Sequence, residues 1–80
     1  MFRTLVKTDA LAADDLTVTV RYFELRTLRG ARRYSAEILI GPADHIILDD
    51  DSLTNLEARA ARLVPATVYS RRLAGPIAAA

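Results

Sequence analysis

The sequence predicts an α+β fold, a three-stranded antiparallel β-meander with a C-terminal helix packed on one face. Three features carry that expectation. Residues 16–22 alternate apolar and polar side chains, the two-residue period of a strand with one buried face. A second alternating stretch, RRYSAEILIG, follows just after Gly30-Ala31, as in a hairpin. Leu53, Leu56, Ala60 and Leu63 then recur at the spacing of one helical stripe.

In the first strand Leu16, Val18, Val20 and Tyr22 share one face, and Thr17, Thr19 and Arg21 the other. The apolar parity then moves to Phe23 and Leu25, the shift that a β-bulge at Tyr22/Phe23 produces. Glycine at the first central position suits a two-residue type II′ turn over Gly30-Ala31. That turn sets Leu25 opposite Ala36, Phe23 opposite Ile38 and, past the bulge, Val20 opposite Ile40. It also sets Glu24 against Glu37, a repulsion that Arg21 or Arg26 can relieve.

Gly41-Pro42-Ala43-Asp44 has the composition of a β-turn with proline at its second position. A short third strand, residues 45–49, is expected to return antiparallel to the second. Ile46, Ile47 and Leu48 run without a break, and Leu39 interrupts the polar face of the second strand. Both faces of the sheet are therefore expected to be partly buried, whereas one helix covers one face. Leu39, Ile46 and Leu48 are the residues expected outside the main core, as an interaction surface. A one-residue slip of the third strand exchanges Ile46 and Leu48 with Ile47.

Asp51 or Ser52 can cap the helix, with Thr54 and Glu57 as an alternative capping box. Glu57, Arg59 and Arg62 can face water. Pro65 disfavours helical geometry at Val64, so it either ends the helix or opens a further segment. Leu63, Thr67 and Val68 prolong the stripe, which favours a kinked continuation; a fourth strand, TVYSRRL, is the competing reading. Gly75-Pro76 stops the element, and residues 75–80 are expected to fray. FRTLVK is a candidate extra edge strand at the N-terminus.

Eighty residues make a single small domain, 1–80, that buries roughly 60% of its unfolded surface. Hydrophobic residues make up 51% of the chain, which excludes a disordered polar chain. Cysteine is absent, which removes disulfides, thiolate metal sites and thiol nucleophiles together. The first fifteen residues carry aspartates and no long apolar run, so neither a secretory signal nor a membrane span is expected, and the expected location is cytoplasmic. Ten arginines against one lysine, with fourteen alanines, match the codon usage of a GC-rich bacterium. The net charge of +1 conceals segregation: residues 41–58 hold acids and no base, and basic segments flank them. Such asymmetry can orient a partner or steer self-pairing.

Two clusters invite chemistry. His45 with Asp49 and Asp51 offers oxygen and nitrogen donors for a hard cation, but Leu53, Thr54 and Ala60 stand where a calcium-binding loop needs a ligand, a glycine and a glutamate. The aspartates suit the start of a helix instead, where free N–H groups and the dipole favour negative charge. Arg21, Arg26, Arg29, Arg32 and Arg33 gather on the hairpin among Tyr22, Phe23 and Tyr34. Basic and aromatic residues on a sheet can hold single-stranded nucleic acid, although a pI near 8.2 falls short of a strongly basic domain. Arg71 and Arg72 in YSRRLAG complement a helix C-terminus without any ligand.

The order from LTVTVRYFELRTL through DHIILDDDSLTNLEARAARLV to YSRRL resembles small uncharacterised bacterial proteins of β-hairpin-plus-helix type. The resemblance implies the fold plan and assigns no activity or site residue. The expected function is non-catalytic: a protein–protein interaction module that self-associates through the second apolar face of its sheet, with no cofactor, metal or membrane partner. The alternative is single-stranded nucleic-acid binding through the arginine- and tyrosine-bearing hairpin.

Overall fold

A computed structural model describes residues 2–75. Four strands, β1 (Phe2–Ala13), β2 (Leu16–Arg26), β3 (Arg32–Gly41) and β4 (Asp44–Asp50), precede one helix, α1 (Leu53–Ala74). The strands form one antiparallel sheet in the order β1-β2-β3-β4. The α+β class and the C-terminal helix on an antiparallel sheet match expectation, but the meander has four strands, not three.

The added strand is the N-terminal one, and a bulge explains why its alternation is hard to read. Leu5 pairs with Phe23 and Lys7 with Tyr22, leaving Val6 as the extra residue. Beyond Val6 the parity reverses, so Lys7, Asp9, Leu11 and Ala13 lie on the face that α1 covers, opposite Tyr22, Val20, Val18 and Leu16. Two of those inward positions are charged, yet they are not stranded. Lys7 Nζ lies 3.2 Å from Asp9 Oδ2 and also donates to Glu57 on α1. Asp14, with φ of 56°, makes the turn into β2, a conformation that aspartate tolerates better than most residues.

The β2–β3 hairpin requires a correction. Its loop has three residues, Leu28-Arg29-Gly30, not two: Thr27 N–H donates to Ala31 O at 3.0 Å and Gly30 N–H to Thr27 O at 2.9 Å. Gly30, at φ of 79°, supplies the left-handed residue that such a loop needs after its turn. Tyr22 therefore faces Ala36, Val20 faces Ile38 and Arg21 faces Glu37. β2 pairs with β3 without a bulge, and Phe23 and Leu25 fall on the face away from the helix.

A second correction concerns β4. Pro42-Ala43 forms the expected turn, but the register slips between Leu39 and Gly41, so Ile46 pairs with Ile38 and Leu48 with Ala36. An unshifted two-residue turn sets Ile46 beside Leu39 instead. Ile46 and Leu48 consequently pack against the main core, and Ile47 takes the outer position.

On the covered face Val18, Val20, Tyr22, Ala36 and Ile38 meet Leu56, Ala60, Val64 and Val68, none more than 1% exposed. Ser52 caps the helix, its side chain accepting from Asn55 N–H at 3.2 Å. The helix runs through Pro65 to Ala74, so TVYSRRL, residues 67–73, is helix and not a fourth strand of the meander. Pro65 and Ala61 are both exposed, which leaves water to satisfy the Ala61 carbonyl that proline deprives of its N–H partner. At the far end Arg71 binds Asp44 at the start of β4, with Nε to Oδ2 at 2.7 Å. Arg72 binds Asp14 and Asp15 in the β1–β2 turn. Beyond Gly75 the expected frayed tail lies outside the described residues. The molecule measures 44 × 22 × 19 Å, elongated along its strands.

Candidate functional site

The helix leaves one sheet face open, and the register fixes what stands there. Rows run across the strands as Leu5–Phe23–Ser35–Asp49, then Thr8–Arg21–Glu37–Ile47, then Ala10–Thr19–Leu39–His45. Leu5 and Ile47, on the two edge strands, are 53% and 54% exposed; Phe23, Leu25 and Leu39 between them are half-buried. Part of that cover is an ion network. Glu37 lies 3.5 Å from both Arg3 and Arg21, and the Arg3 guanidinium sits 3.6 Å above the Phe23 ring, a cation–π stack. This network shields Phe23 and leaves exposed Ile47 beside half-buried Leu39 at the β4 side, with exposed Leu5 at the β1 side.

Of the three residues expected on this surface, Leu39 lies on it, whereas Ile46 and Leu48 lie on the helix-covered side. Those two still reach the β4 edge, and Leu48 lines an open groove of about 320 Å³ with Arg59, Arg62, Leu63 and Ala66 of α1. Ile47 takes the outer place that the one-residue slip assigned to it, whereas sequence reasoning missed Leu5 and Arg3. The apolar run had no alternation to decide between Ile47 and its neighbours, and Leu5 was hidden by the bulge that follows it.

The arginines of the hairpin divide into two kinds. Arg21 pairs with Glu37, while Arg26 and Arg32 share Glu24 at 3.4 Å each. Arg29 and Arg33 make no ion pair among the described residues, and Leu28 at the tip is 99% exposed. The aromatic residues do not surround them: Tyr22 is buried under the helix and Tyr34 packs against the same core.

The aspartate run serves the strand-to-helix junction. Asp50 Oδ1 accepts from Ser52 N–H at 3.0 Å, and Arg59 donates to Asp50 Oδ2 at 3.3 Å and to the Asp49 carbonyl at 2.8 Å. The Ser52 N–H bond, with Asp51 and Arg59 adding to it, holds the Asp50 carboxyl below its usual range. Among the described residues no group of three or more His, Cys, Asp and Glu side chains stands close enough to hold a metal. The Lys7 ammonium is pushed up by the Glu57 hydrogen bond and then by Asp9. Lys7 thereby ties β1 to α1 through Glu57.

No helix of the described residues is long and apolar enough to cross a membrane. Comparison with protein families, with curated proteins and with solved structures finds no match to this chain.

Proposed function

We propose that the chain is a non-catalytic, cytoplasmic protein–protein interaction module whose partner is a second copy of itself. The observation that carries this reading is exposed Ile47 beside half-buried Leu39 on the uncovered sheet face, next to the β4 edge. A four-stranded sheet with one helix has two faces and one cover, and an 80-residue chain gains stability by burying the remainder on assembly. Charge supports a like partner: acids concentrate in residues 41–58 and bases on both sides of them, so two copies can offer each other opposite signs.

Sedimentation velocity from 1 to about 100 µM tests the reading, a range chosen to span weak to moderate dimers. The expected result is a concentration-dependent dimer that Leu39→Ser with Ile47→Ser disperses without loss of secondary structure. A monomer throughout would sink it.

A second reading takes the hairpin tip as a contact for single-stranded nucleic acid. It is supported by Arg29 and Arg33, left without acidic partners among the described residues. With Tyr22 and Tyr34 turned to the core, such binding rests on phosphate contacts and is therefore steeply salt-dependent. A fluorescence titration with oligo-dT at low salt that shows no binding removes it.

A further inference from the structure

Self-association, on which this inference rests, leaves open how two copies meet. We propose that β4 pairs antiparallel with β4 of a second copy about a two-fold axis normal to the sheet, with Ile47 opposite the second copy's Ile47. The four strands of each copy then form one continuous sheet, with both helices on the same side and Ile47, not Leu39, as the residue of the uncovered face that the seam buries.

The two free edges are unequal. β1 carries the Val6 bulge and turns Lys7 and Asp9 inward beneath α1, devices that discourage strand addition. β4, with the sequence DHIILDD, has no bulge residue, proline or lysine. Its neighbour's register shift lies in β3, at Ile40.

Symmetry then fixes the alignment. A two-fold between antiparallel strands sets one residue opposite itself, and Ile47 is the midpoint of the seven-residue strand. Centred there, Leu48 meets the second copy's Ile46 and His45 meets the second copy's Asp49, so apolar faces apolar and imidazole faces carboxylate. Centring on Ile46 sets Asp44 against Leu48, and centring on Leu48 sets Ile46 against Asp50. Only the Ile47 alignment avoids both mismatches. It does bring Asp44 opposite the second copy's Asp50, but each already holds its own arginine, Arg71 at 2.7 Å and Arg59 at 3.3 Å. The groove floored by Leu48, Leu63 and Ala66 lies where the second copy's Ile46 arrives. Arg62 at its rim, without an ion pair among the described residues, adds a cation facing the incoming acidic strand.

The absence of cysteine gives a direct test. Ile47→Cys, Leu39→Cys and Leu5→Cys are each treated with a short bismaleimide linker and run on denaturing gels, beside sedimentation of the unlabelled chain. Strand pairing brings the two position-47 side chains to about 5 Å and leaves those at position 39 roughly 20 Å apart by strand spacing and rise. The expected result is a dimer in which the Ile47→Cys chain links rapidly and the Leu39→Cys and Leu5→Cys chains do not. Ile47→Lys, at an exposed position, is expected to weaken the dimer at least about tenfold with an unchanged circular dichroism spectrum. A dimer that links through position 39 or position 5 but not through position 47 overturns the strand pairing and leaves self-association standing. A chain that stays monomeric overturns both.

Discussion

Ile38 stands opposite Ile46 on the helix-covered face of the sheet, the former wholly buried and the latter half-buried against the same cluster. Ile47, one residue on, projects the other way beside Glu37. Truncations should rank accordingly. Ile38→Ala is expected to cost about 2–5 kcal/mol through lost transfer energy and a cavity, and Ile46→Ala less in proportion to its burial. Ile47→Ser should stay within about 0.5 kcal/mol when measured on the monomer. Urea denaturation at low protein concentration checks the order; a costly Ile47→Ser would mean that this residue is part of the core.

Acid should weaken the closure of the helix end. Hydrogen bonds from Arg71 and from Arg72 hold the Asp44 and Asp15 carboxyls below their usual range. A depressed carboxyl contributes stability above its unfolded pKa, about 3.9, and loses it as pH falls through the lower folded value. Urea midpoints should therefore drop below about pH 4, and an Arg71→Gln/Arg72→Gln chain should show a shallower acid limb. Both pairs are exposed, so salt should narrow the difference. An identical acid limb in the double variant would contradict the assignment.

Ser52 and the aspartates before it separate capping from metal binding. Ser52→Ala removes the acceptor for Asn55 N–H and should cost about 1 kcal/mol. Asp49→Asn and Asp51→Asn, at exposed positions, should change stability by less than about 0.5 kcal/mol. Magnesium or calcium at millimolar concentration should leave the amide resonances of residues 45–52 unmoved. Saturable shifts there would overturn the capping reading.

Pro65 is the one residue working against its own helix. Its ring and the Ala61 carbonyl lie on the exposed side, so Pro65→Ala restores a backbone hydrogen bond without disturbing the buried stripe. The substitution should stabilise the chain, by up to about 3 kcal/mol from propensity alone, less the unfolded-state entropy that proline removes. Thermal melts of the two chains decide the sign.

The parts of the fold that were legible in the sequence are those where one side chain period holds for the whole element. Val18, Val20 and Tyr22 alternate without interruption, and Leu56 and Ala60 sit on the expected helical stripe, so strand and helix could be read directly, although Val64 is buried in full where Leu63 was expected to be. Registers were not legible, because each turns on one residue in a connection. Thr27 pairing with Ala31 around Leu28-Arg29-Gly30, in place of a tighter turn, moves Phe23 and Leu25 to the other face. The slip at Ile40 does the same for Ile46, Ile47 and Leu48. In an apolar run such as IIL either parity buries hydrophobic surface, and only the preceding turn decides. The open face itself followed from counting covers against faces; its membership did not.

The last turn of α1 joins parts of the chain that are far apart in sequence. Arg71 reaches Asp44 across 27 residues and Arg72 reaches Asp15 across 57. The Arg71 contact closes only once β3 and β4 have met and the helix has docked, and the Arg72 contact only once β1 and β2 have met as well. Contacts that close so late are expected to be absent from the folding transition state, so Arg71→Gln/Arg72→Gln should speed unfolding more than it slows folding. The two arginines act as a latch on unfolding.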